Sequence, residues 1–302
     1  MGLKQTQARA RRWGGAVVAL VVALGLLAPV AHAQNAGKAE AGLSCPKDEL
    51  AASPIGQNLR EMALRPGEKI DPASFLKDPE VAAFVGQMTR QAQARQARDY
   101  YGLCRYRAEN AALAGKTRPQ TILLGDSITE NWKLGDPAWF SHRLADRGIG
   151  GQTSAQILLR FYPDVVALRP AVVHIMAGTN DILHDNGVVG DEDIIANITA
   201  MIDLAQHNHI KVVLASILPI SVRAWQPELK AAGRIRALNA RLAALAAKRR
   251  IVFVDYFSAL ADADGGLDTR FGNDGVHPNR QGYAVMRPLA EQGIRQALRA
   301  KK

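Results

Sequence analysis

The chain has 302 residues, of which 48% are hydrophobic and 22% are charged, and its formal net charge is +10. This composition is typical of a globular protein with a buried core. The positive charges are scattered, and no run of Lys and Arg is interleaved with aromatic residues, so the sequence predicts no nucleic acid partner. Attraction to anionic polymers of the cell envelope stays open.

The first 33 residues have the pattern of a secretory signal peptide. Four Lys or Arg residues precede the apolar stretch Ala16–Val30, and Ala31-His32-Ala33 then fits the small-x-small rule for cleavage. We expect cleavage between Ala33 and Gln34, which removes four positive charges and no acids and lowers the net charge from +10 to +6. This predicts a periplasmic or secreted protein with no stable membrane insertion after signal removal. The alternative is an uncleaved membrane anchor, which the short apolar stretch disfavours.

Residues 34–117 are predicted to form an N-terminal extension. Gln34–Gly42 is rich in Ala, Gly and polar residues and is expected to be a flexible mature N-terminus. Five prolines occur from Cys45 to Pro79, which predicts a segment that wraps a surface rather than building a core. Glu80–Leu113 has apolar residues at helical spacing and predicts one or two helices with a packing role.

The chain contains two cysteines, Cys45 and Cys104. In an exported protein an even number of cysteines usually indicates a disulfide, and this one would tie the extension to the helix before the first strand. The alternative is two separate buried thiols. Neither cysteine lies near the polar motifs described below, so the sequence does not predict a catalytic cysteine.

Strands and helices alternate from Thr121 onward, which predicts that residues 118–302 form one α/β domain. The predicted strands are Ile122–Leu124, a short extended segment ending at Arg147, Val172–Met176, Val212–Ser216 and Ile251–Val254. The predicted helices are Ser154–Phe161, Glu192–His207, Glu228–Arg249 and Gln281–Leu298. This alternation predicts a parallel sheet between two helical layers.

Four polar loops follow predicted strands, and parallel strands bring such loops to one edge of the sheet. One loop carries Ser127, a weak nucleophile at neutral pH that needs a base within hydrogen-bond reach. The last loop carries His277, which can accept the serine proton, and Asp274, which can orient the imidazole ring. Together these residues predict a catalytic triad for ester hydrolysis.

The remaining loops supply candidate donors for an oxyanion hole. Gly151 offers a backbone N–H that no Cβ obstructs, and Asn180 offers a side-chain amide. The backbone N–H of Ser127, at a predicted helix start, is the third donor. Each loop alone is also compatible with an ordinary turn or helix cap. Four such loops in order, each at a strand end, favour the catalytic interpretation.

From Thr121 to Tyr283 the sequence resembles the SGNH superfamily, also called GDSL-type esterases and lipases. The similar blocks are Gly125-Asp126-Ser127-Ile128, Gly148-Ile149-Gly150-Gly151-Gln152-Thr153, Gly178-Thr179-Asn180-Asp181 and Asp274-Gly275-Val276-His277-Pro278. The departures are slight: Ile128 replaces a leucine, and Gln152 stands where an acidic residue is common. Neither departure removes a predicted catalytic group.

The resemblance implies a three-layer α/β/α flavodoxin-like fold with a five-stranded parallel sheet, and neither cofactor nor metal. The four residues that give the superfamily its name fall on Ser127, Gly151, Asn180 and His277, with Asp274 as the triad acid. The most similar subgroup is the platelet-activating-factor-acetylhydrolase-like branch, whose bacterial members are often short-acyl or carbohydrate O-acetyl esterases. A classical α/β-hydrolase fits less well, because Thr129 replaces the last glycine of its G-x-S-x-G motif.

Other side chains leave alternatives open. Trp132 and Trp139 follow the predicted nucleophile and either wall the substrate site or pack in the core. His174 lies within a predicted strand and is expected to be a hydrogen-bonded core residue. His207 and His209 end a predicted helix, where histidine complements the helix dipole, and this disfavours a metal site. Further candidates for the border of the cleft are His184, Asp185, Arg223, Trp225 and Gln226.

The sequence therefore predicts an exported serine ester hydrolase that acts on short acyl esters, with acetyl as the first candidate. The predicted partner is a small-molecule or saccharide ester. The alternatives are a lipase or lysophospholipase with a longer acyl pocket, an O-acyltransferase in which an alcohol replaces water, and a non-catalytic binding protein. The alcohol half of the substrate and the oligomeric state stay open.

Overall fold

The computed structural model describes residues 45, 53–68, 77–114, 118–140, 143–183, 189–221 and 231–300. The predicted signal peptide and the predicted cleft-border residues His184, Asp185, Arg223, Trp225 and Gln226 lie outside the described residues. Within the described ranges, none of the helices combines the length and the apolar character that crossing a membrane requires.

The five predicted strands form one parallel sheet, which confirms the predicted α/β fold. The strands are β1 (Thr121–Gly125), β2 (Leu144–Gly148), β3 (Val172–Met176), β4 (Lys211–Ala215) and β5 (Val252–Val254). Their spatial order is β2-β1-β3-β4-β5, and all neighbouring strands are parallel. The order reverses at β1, so the loops after β1, β2 and β3 meet at one point on the carboxyl edge, where open α/β sheets bind ligands.

Helices surround this sheet and precede it. Before β1 lie α1 (Pro54–Leu64), α2 (Pro79–Arg98) and α3 (Arg107–Ala114). The later helices are α4 (Ser127–Gly135), α5 (Ser154–Leu159), α6 (Phe161–Asp164), α7 (Thr179–Leu183), α8 (Asp191–His207), α9 (Ala231–Arg249), α10 (Phe257–Leu260) and α11 (Arg280–Arg299). The predicted helix Ser154–Phe161 is thus two short helices, because the chain bends at Arg160.

The three layers follow from the alternation of side chains along each strand. Ile122 and Leu124 of β1 point to the face covered by α8 and α9, where they join one buried cluster with Ile198 and Leu238. Leu123 points to the opposite face, where the buried cluster includes residues of α4 and α11. Both faces are covered, which explains why the strands read as continuous apolar runs.

The proline-rich segment before Pro79 differs from the prediction, because it contains α1. Ser53 caps this helix by accepting a hydrogen bond from the Gly56 N–H (3.1 Å), and Pro54 occupies the first helical position, which proline tolerates well. Leu59 packs with residues of α2, and Leu64 joins the core on the α4 and α11 face. The prediction of a segment that builds no core is therefore wrong for this helix.

The predicted disulfide between Cys45 and Cys104 is confirmed, with the two Cα atoms 5.4 Å apart. Cys104 lies in the turn between α2 and α3. The bond closes a loop with a sequence separation of 59 residues, and this loop contains α1 and α2. Long closed loops of this kind constrain the unfolded chain.

Two side chains with open alternatives turn out to be core residues. Trp132 is fully buried and stacks on Tyr283, with ring centroids 5.6 Å apart, so it does not wall a substrate site. His174 is fully buried in β3, and its Nε2 forms a hydrogen bond with the Tyr256 hydroxyl (2.9 Å). The prediction of a bonded core histidine is confirmed.

We expect the substitution His174→Gln to reduce the loss of stability at acid pH. Burial lowers the pKa of His174 from 6.5 to about 4. Between these values the unfolded chain binds a proton that the folded chain does not, so the free energy of unfolding falls as pH is lowered, by up to about 3 kcal/mol near pH 4. Urea unfolding of both proteins at pH 7 and pH 4.5 measures this. The prediction is contradicted if the free energy of unfolding differs between wild type and variant by the same amount at both pH values.

Candidate active site

Ser127 lies at the turn from β1 into α4. Asp126 caps the helix, and its Oδ1 accepts a hydrogen bond from the Ile128 N–H (2.9 Å). A Cβ at Gly125 would collide with the Thr129 side chain and the Met176 carbonyl, so only glycine fits this close approach. The turn therefore holds the Ser127 side chain at the carboxyl edge of the sheet, as its position in the sequence predicts.

The structure brings Ser127, His277 and Asp274 together. The Ser127 Oγ and the His277 Nε2 are 2.8 Å apart, although the two residues are 150 positions apart in the sequence. The His277 Nδ1 lies 2.7 Å from the Asp274 Oδ2. Both distances are those of hydrogen bonds, and the order serine, histidine, aspartate is the one that nucleophilic acyl transfer uses.

The surroundings of Asp274 keep its carboxyl group ionised. Burial by itself would raise its pKa, but His277 and two backbone N–H groups hold the pKa below its ordinary value. Those N–H groups belong to Val276 and His277, and each donates to Oδ1 at 2.8 Å. An ionised carboxylate accepts the Nδ1–H of the ring, which leaves the Nε2 lone pair directed at the serine hydroxyl.

The loop that carries Asp274 is fixed at both of its ends. Gly275 has φ +81°, a conformation that glycine adopts without strain. Asn279 caps α11 by accepting hydrogen bonds from the Gln281 and Gly282 N–H groups (2.9 and 3.1 Å). On the other side, the Asn273 amide donates to the Ala63 carbonyl at the end of α1 (2.9 Å). Helix α1 of the extension therefore supports the loop that carries Asp274 and His277, which we call the histidine loop. The sequence analysis missed this contact.

Gly151 lies in the loop after β2, and Asn180 lies in α7, the short helix after β3. Gly151 has φ +77°, so this position also favours glycine. The Asn180 Nδ2 donates one hydrogen bond to the Gln152 carbonyl (3.0 Å), and a primary amide has a second hydrogen to donate. Asp181 accepts hydrogen bonds from the Ser154 N–H and hydroxyl (2.9 and 2.6 Å), which joins the loop after β3 to α5.

A buried arginine that sequence analysis missed links the first two loops. Arg160 is fully buried, and its guanidinium donates to the carbonyls of Gly125 (2.8 Å) and Arg147 (2.9 Å) and to the side chain of Gln152 (2.5 Å). Asp164 is its ionic partner at 2.9 Å. The signal in the sequence is one charged residue within the apolar run from Ile157 to Phe161. The carbonyl partners on Gly125 and Arg147 are 35 and 13 positions away, which is too far to be read from that signal.

The described part of the chain contains no candidate metal site. No group of three or more His, Cys, Asp or Glu side chains there is arranged to hold a metal ion. His209 follows the end of α8 with φ +59°, and no ligand cluster forms around it.

The arrangement is therefore a hydroxyl, an imidazole and an ionised carboxylate in a hydrogen-bonded row, beside two loops that carry amide groups. Such a row can transfer a proton from the serine hydroxyl to the imidazole while the serine oxygen attacks an acyl carbon.

Known proteins are similar to this chain in sequence and in fold. The model of the GDSL-like lipase/acylhydrolase family matches residues 123–285. An acylhydrolase structure from Bacteroides fragilis is 42% identical, with a TM-score of 0.63, and the match covers 67% of this chain and 99% of that one. A GDSL-like lipase from Bacteroides thetaiotaomicron is 38% identical, with a TM-score of 0.62, and the match covers 66% of this chain and 100% of that one.

A protein of Streptococcus pneumonia that is described as a platelet activating factor has the same fold, with 23% identity, a TM-score of 0.56, and coverage of 67% of this chain and 99% of that one. No curated protein matches the chain. The family match and the two Bacteroides structures nevertheless agree on one assignment. The chain belongs to the GDSL-like lipase/acylhydrolase family, and it is an ester hydrolase.

Proposed function

We propose that Ser127, His277 and Asp274 are the catalytic triad of an exported esterase that removes short acyl groups, with acetylated saccharides as its substrates. The observation that carries the triad is the hydrogen-bonded row from the Ser127 Oγ through the His277 ring to the Asp274 carboxylate, at 2.8 and 2.7 Å. The family assignment gives ester hydrolysis as the reaction.

In the first half of the reaction the Ser127 Oγ attacks the acyl carbon, and its proton moves to the His277 Nε2. The carbonyl oxygen becomes an oxyanion, for which we assign the N–H groups of Ser127 and Gly151 and the Asn180 amide as donors. His277 then gives its proton to the leaving alcohol oxygen as the ester bond breaks. Asp274 stays ionised throughout and stabilises the imidazolium that forms between these two steps.

In the second half, water replaces the alcohol. His277 removes a proton from the water as its oxygen attacks the acyl-enzyme, and the same oxyanion donors stabilise the second tetrahedral intermediate. When this intermediate collapses, the carboxylic acid leaves and the proton returns from His277 to the Ser127 oxygen. The proton that Ser127 loses leaves with the alcohol, and the proton that returns to it comes from the water, so the enzyme ends the cycle in its starting protonation state.

Two observations support export and a saccharide substrate. The disulfide between Cys45 and Cys104 is typical of proteins that fold in an oxidising compartment. Tyr100 and Tyr101 are 43% and 45% exposed, and their rings lie edge to face with centroids 5.4 Å apart. The flat apolar faces of exposed aromatic rings suit the C–H faces of sugar rings.

This tyrosine pair is hydrogen-bonded to the proposed oxyanion region. The Tyr101 carbonyl accepts a hydrogen bond from the side chain of Gln152, the residue after Gly151, at 3.1 Å. The Tyr100 carbonyl accepts one from the Gln156 side chain, also at 3.1 Å. A sugar that stacks on these rings would therefore lie beside the loop that we assign to the oxyanion.

We expect Ser127→Ala to lower kcat for p-nitrophenyl acetate by about 10⁴-fold or more, because the acyl-enzyme can no longer form. Steady-state kinetics of the purified variant measures this, and circular dichroism checks that it is folded. A folded variant that keeps wild-type activity would refute the triad.

We expect Asn180→Ala to lower kcat by about 10²–10³-fold with little change in KM, because the lost amide donor acts on the transition state rather than on the bound ester. Asn208→Ala is the matched control, since the Asn208 amide also donates to a backbone carbonyl, that of Leu204 (2.8 Å). An unchanged kcat for Asn180→Ala would show that the oxyanion assignment is wrong.

We expect Tyr101→Ala to raise KM for an acetylated xylo-oligosaccharide by roughly 10-fold, as loss of one aromatic contact surface predicts, and to leave kcat/KM for p-nitrophenyl acetate unchanged. Tyr162→Ala is the control, since Tyr162 is also exposed and lies on α6. A series of p-nitrophenyl esters tests the acyl preference in parallel. Highest activity on long chains would support a lipase instead, and transfer to added acceptor sugars would support an acyltransferase.

A further inference from the structure

We propose that Arg105, acting through Glu130, is a positioning residue for the oxyanion loop, which we define as Gly148–Gln152. Arg105 belongs to the predicted extension, outside the matched family region, and it does not touch the reacting atoms. This inference rests on the proposed function, because it concerns the loop that we assign to the oxyanion.

Glu130 connects the extension to the oxyanion loop. Its carboxylate lies in the first turn of α4, and its side chain is fully buried. One carboxylate oxygen accepts a hydrogen bond from the Arg105 Nη2 at 3.1 Å, and the other accepts one from the Gly150 N–H at 2.8 Å. Gly150 immediately precedes Gly151, so the carboxylate fixes the backbone next to a proposed oxyanion donor.

A second contact from the extension holds the start of the loop. The Tyr106 hydroxyl donates to the Gly148 carbonyl at 2.5 Å. The Tyr106 ring is buried between two guanidinium groups, with the Arg105 carbon 4.9 Å and the Arg147 carbon 4.6 Å from its centroid. Arg105 and Tyr106 therefore act as one unit, in which the arginine packs on the ring whose hydroxyl binds the loop.

The turn that carries this unit is rigid. The Asp99 carboxylate accepts hydrogen bonds from the N–H groups of Leu103 and Cys104, both at 2.8 Å, and Cys104 is held by the disulfide. Gly102 has φ +70° and packs so closely on the loop that a Cβ would lie 2.7 Å from the Gln152 amide nitrogen. The turn is thus a fixed support rather than a loose connection.

The charge of Arg105 matters because Glu130 is buried. Burial raises the pKa of Glu130, and Arg105 and the Gly150 N–H oppose that rise. The other charged groups that act on Glu130 are Arg95, on α2, and Asp146, on β2, and burial raises the pKa of Asp146 to about 7. The hydroxyls of Tyr106 and Tyr283 also interact with Glu130, and burial raises the pKa of both well above its ordinary value. Without Arg105 the Glu130 carboxyl would take up a proton at higher pH, and a neutral carboxyl accepts the Gly150 N–H more weakly.

The first test is Arg105→Met, with Arg105→Lys as the conservative variant and p-nitrophenyl acetate as the substrate. We expect Arg105→Met to lower kcat by about 10-fold to 10²-fold with little change in KM, since a displacement of about 1 Å at a distance can cost 10²-fold. The kcat should recover as pH rises, because Glu130 loses its proton again. Arg105→Lys should restore most of the activity and remove this pH dependence.

Arg241→Met is the matched control. Arg241 forms an ion pair with Glu192 at 2.7 Å between α9 and α8, far along the chain from the oxyanion loop. This substitution removes the same charge and should leave both kcat and its pH profile unchanged. A purely structural effect of losing an ion pair would lower the amount of folded protein without a pH-dependent kcat.

The second test is Tyr106→Phe, which removes only the hydroxyl that binds the Gly148 carbonyl and keeps the ring between the arginines. We expect a kcat roughly 3-fold to 10-fold lower with unchanged KM, the range that loss of one hydrogen bond predicts. If Arg105→Met does not fold, Glu130→Gln replaces it, because this variant removes the charge that pairs with Arg105, and we expect the same fall in kcat.

The outcomes separate the two proposals. If Ser127→Ala is inactive while the folded Arg105→Met and Tyr106→Phe variants keep the wild-type kcat and pH profile, the positioning role is refuted and the proposed function stands. If Arg105→Met does not fold, a wild-type kcat in folded Glu130→Gln refutes it alone. If Ser127→Ala keeps its activity, the proposed function fails first.

Discussion

The hydrogen bond between the Asp274 carboxylate and the His277 ring is the interaction on which the proposed chemistry depends. The ring has two nitrogens, and only when Nδ1 carries the proton does Nε2 face Ser127 with a free lone pair. The two N–H groups that also bind Asp274 keep it ionised in a buried position. The local fold of one short loop therefore sets both the charge of Asp274 and the tautomer of His277.

Charged side chains, rather than apolar packing, hold the loops around this pair. Arg160, Asp181 and Glu130 are all buried, and each has a hydrogen-bond partner on a different strand, helix or loop. A buried charge is costly unless it is paired, so each of these residues penalises any arrangement in which its partner moves away. The carboxyl edge thus has a single favoured geometry, whereas apolar contacts alone would tolerate small shifts.

The parts of the molecule that sequence analysis predicted are those with local signals. Val172–Met176 is an apolar run of strand length, and its bounds agree with the structure. Ser127 and His277 stand in polar loops after strands, where topology alone brings them to one edge. The sequence did not decide whether Trp132 walls the substrate site or packs in the core, because closeness to Ser127 in the chain does not indicate on which face of α4 a residue lies. Trp132 lies on the same face as Ile128, in the core.

The contacts that escaped prediction all join residues far apart in the chain. Asn273 reaches α1 across about 210 positions, and Glu130 reaches Arg105 across 25. Glu130 alone suggests an ordinary acidic residue in the first turn of a helix, where it would favour the dipole from the surface. Its burial depends on a segment before β1 that carries no family motif, so no pattern in the sequence indicates it.

The extension cannot hold these two support points by its own packing. Its separate cluster has Leu59, Phe84 and Met88 as its fully packed members, which is a small apolar core for ordering two helices and the turns beside them. The remaining stabilisation must come from the disulfide and from docking on the sheet domain. The disulfide closes the loop that contains α1 and α2, and this loop ends beside Arg105. It therefore links the α1 contact with the loop of Asp274 and His277 to the Arg105 contact with the oxyanion loop. Because docking and closure both depend on those contacts, the extension and the active-site edge should order together rather than independently.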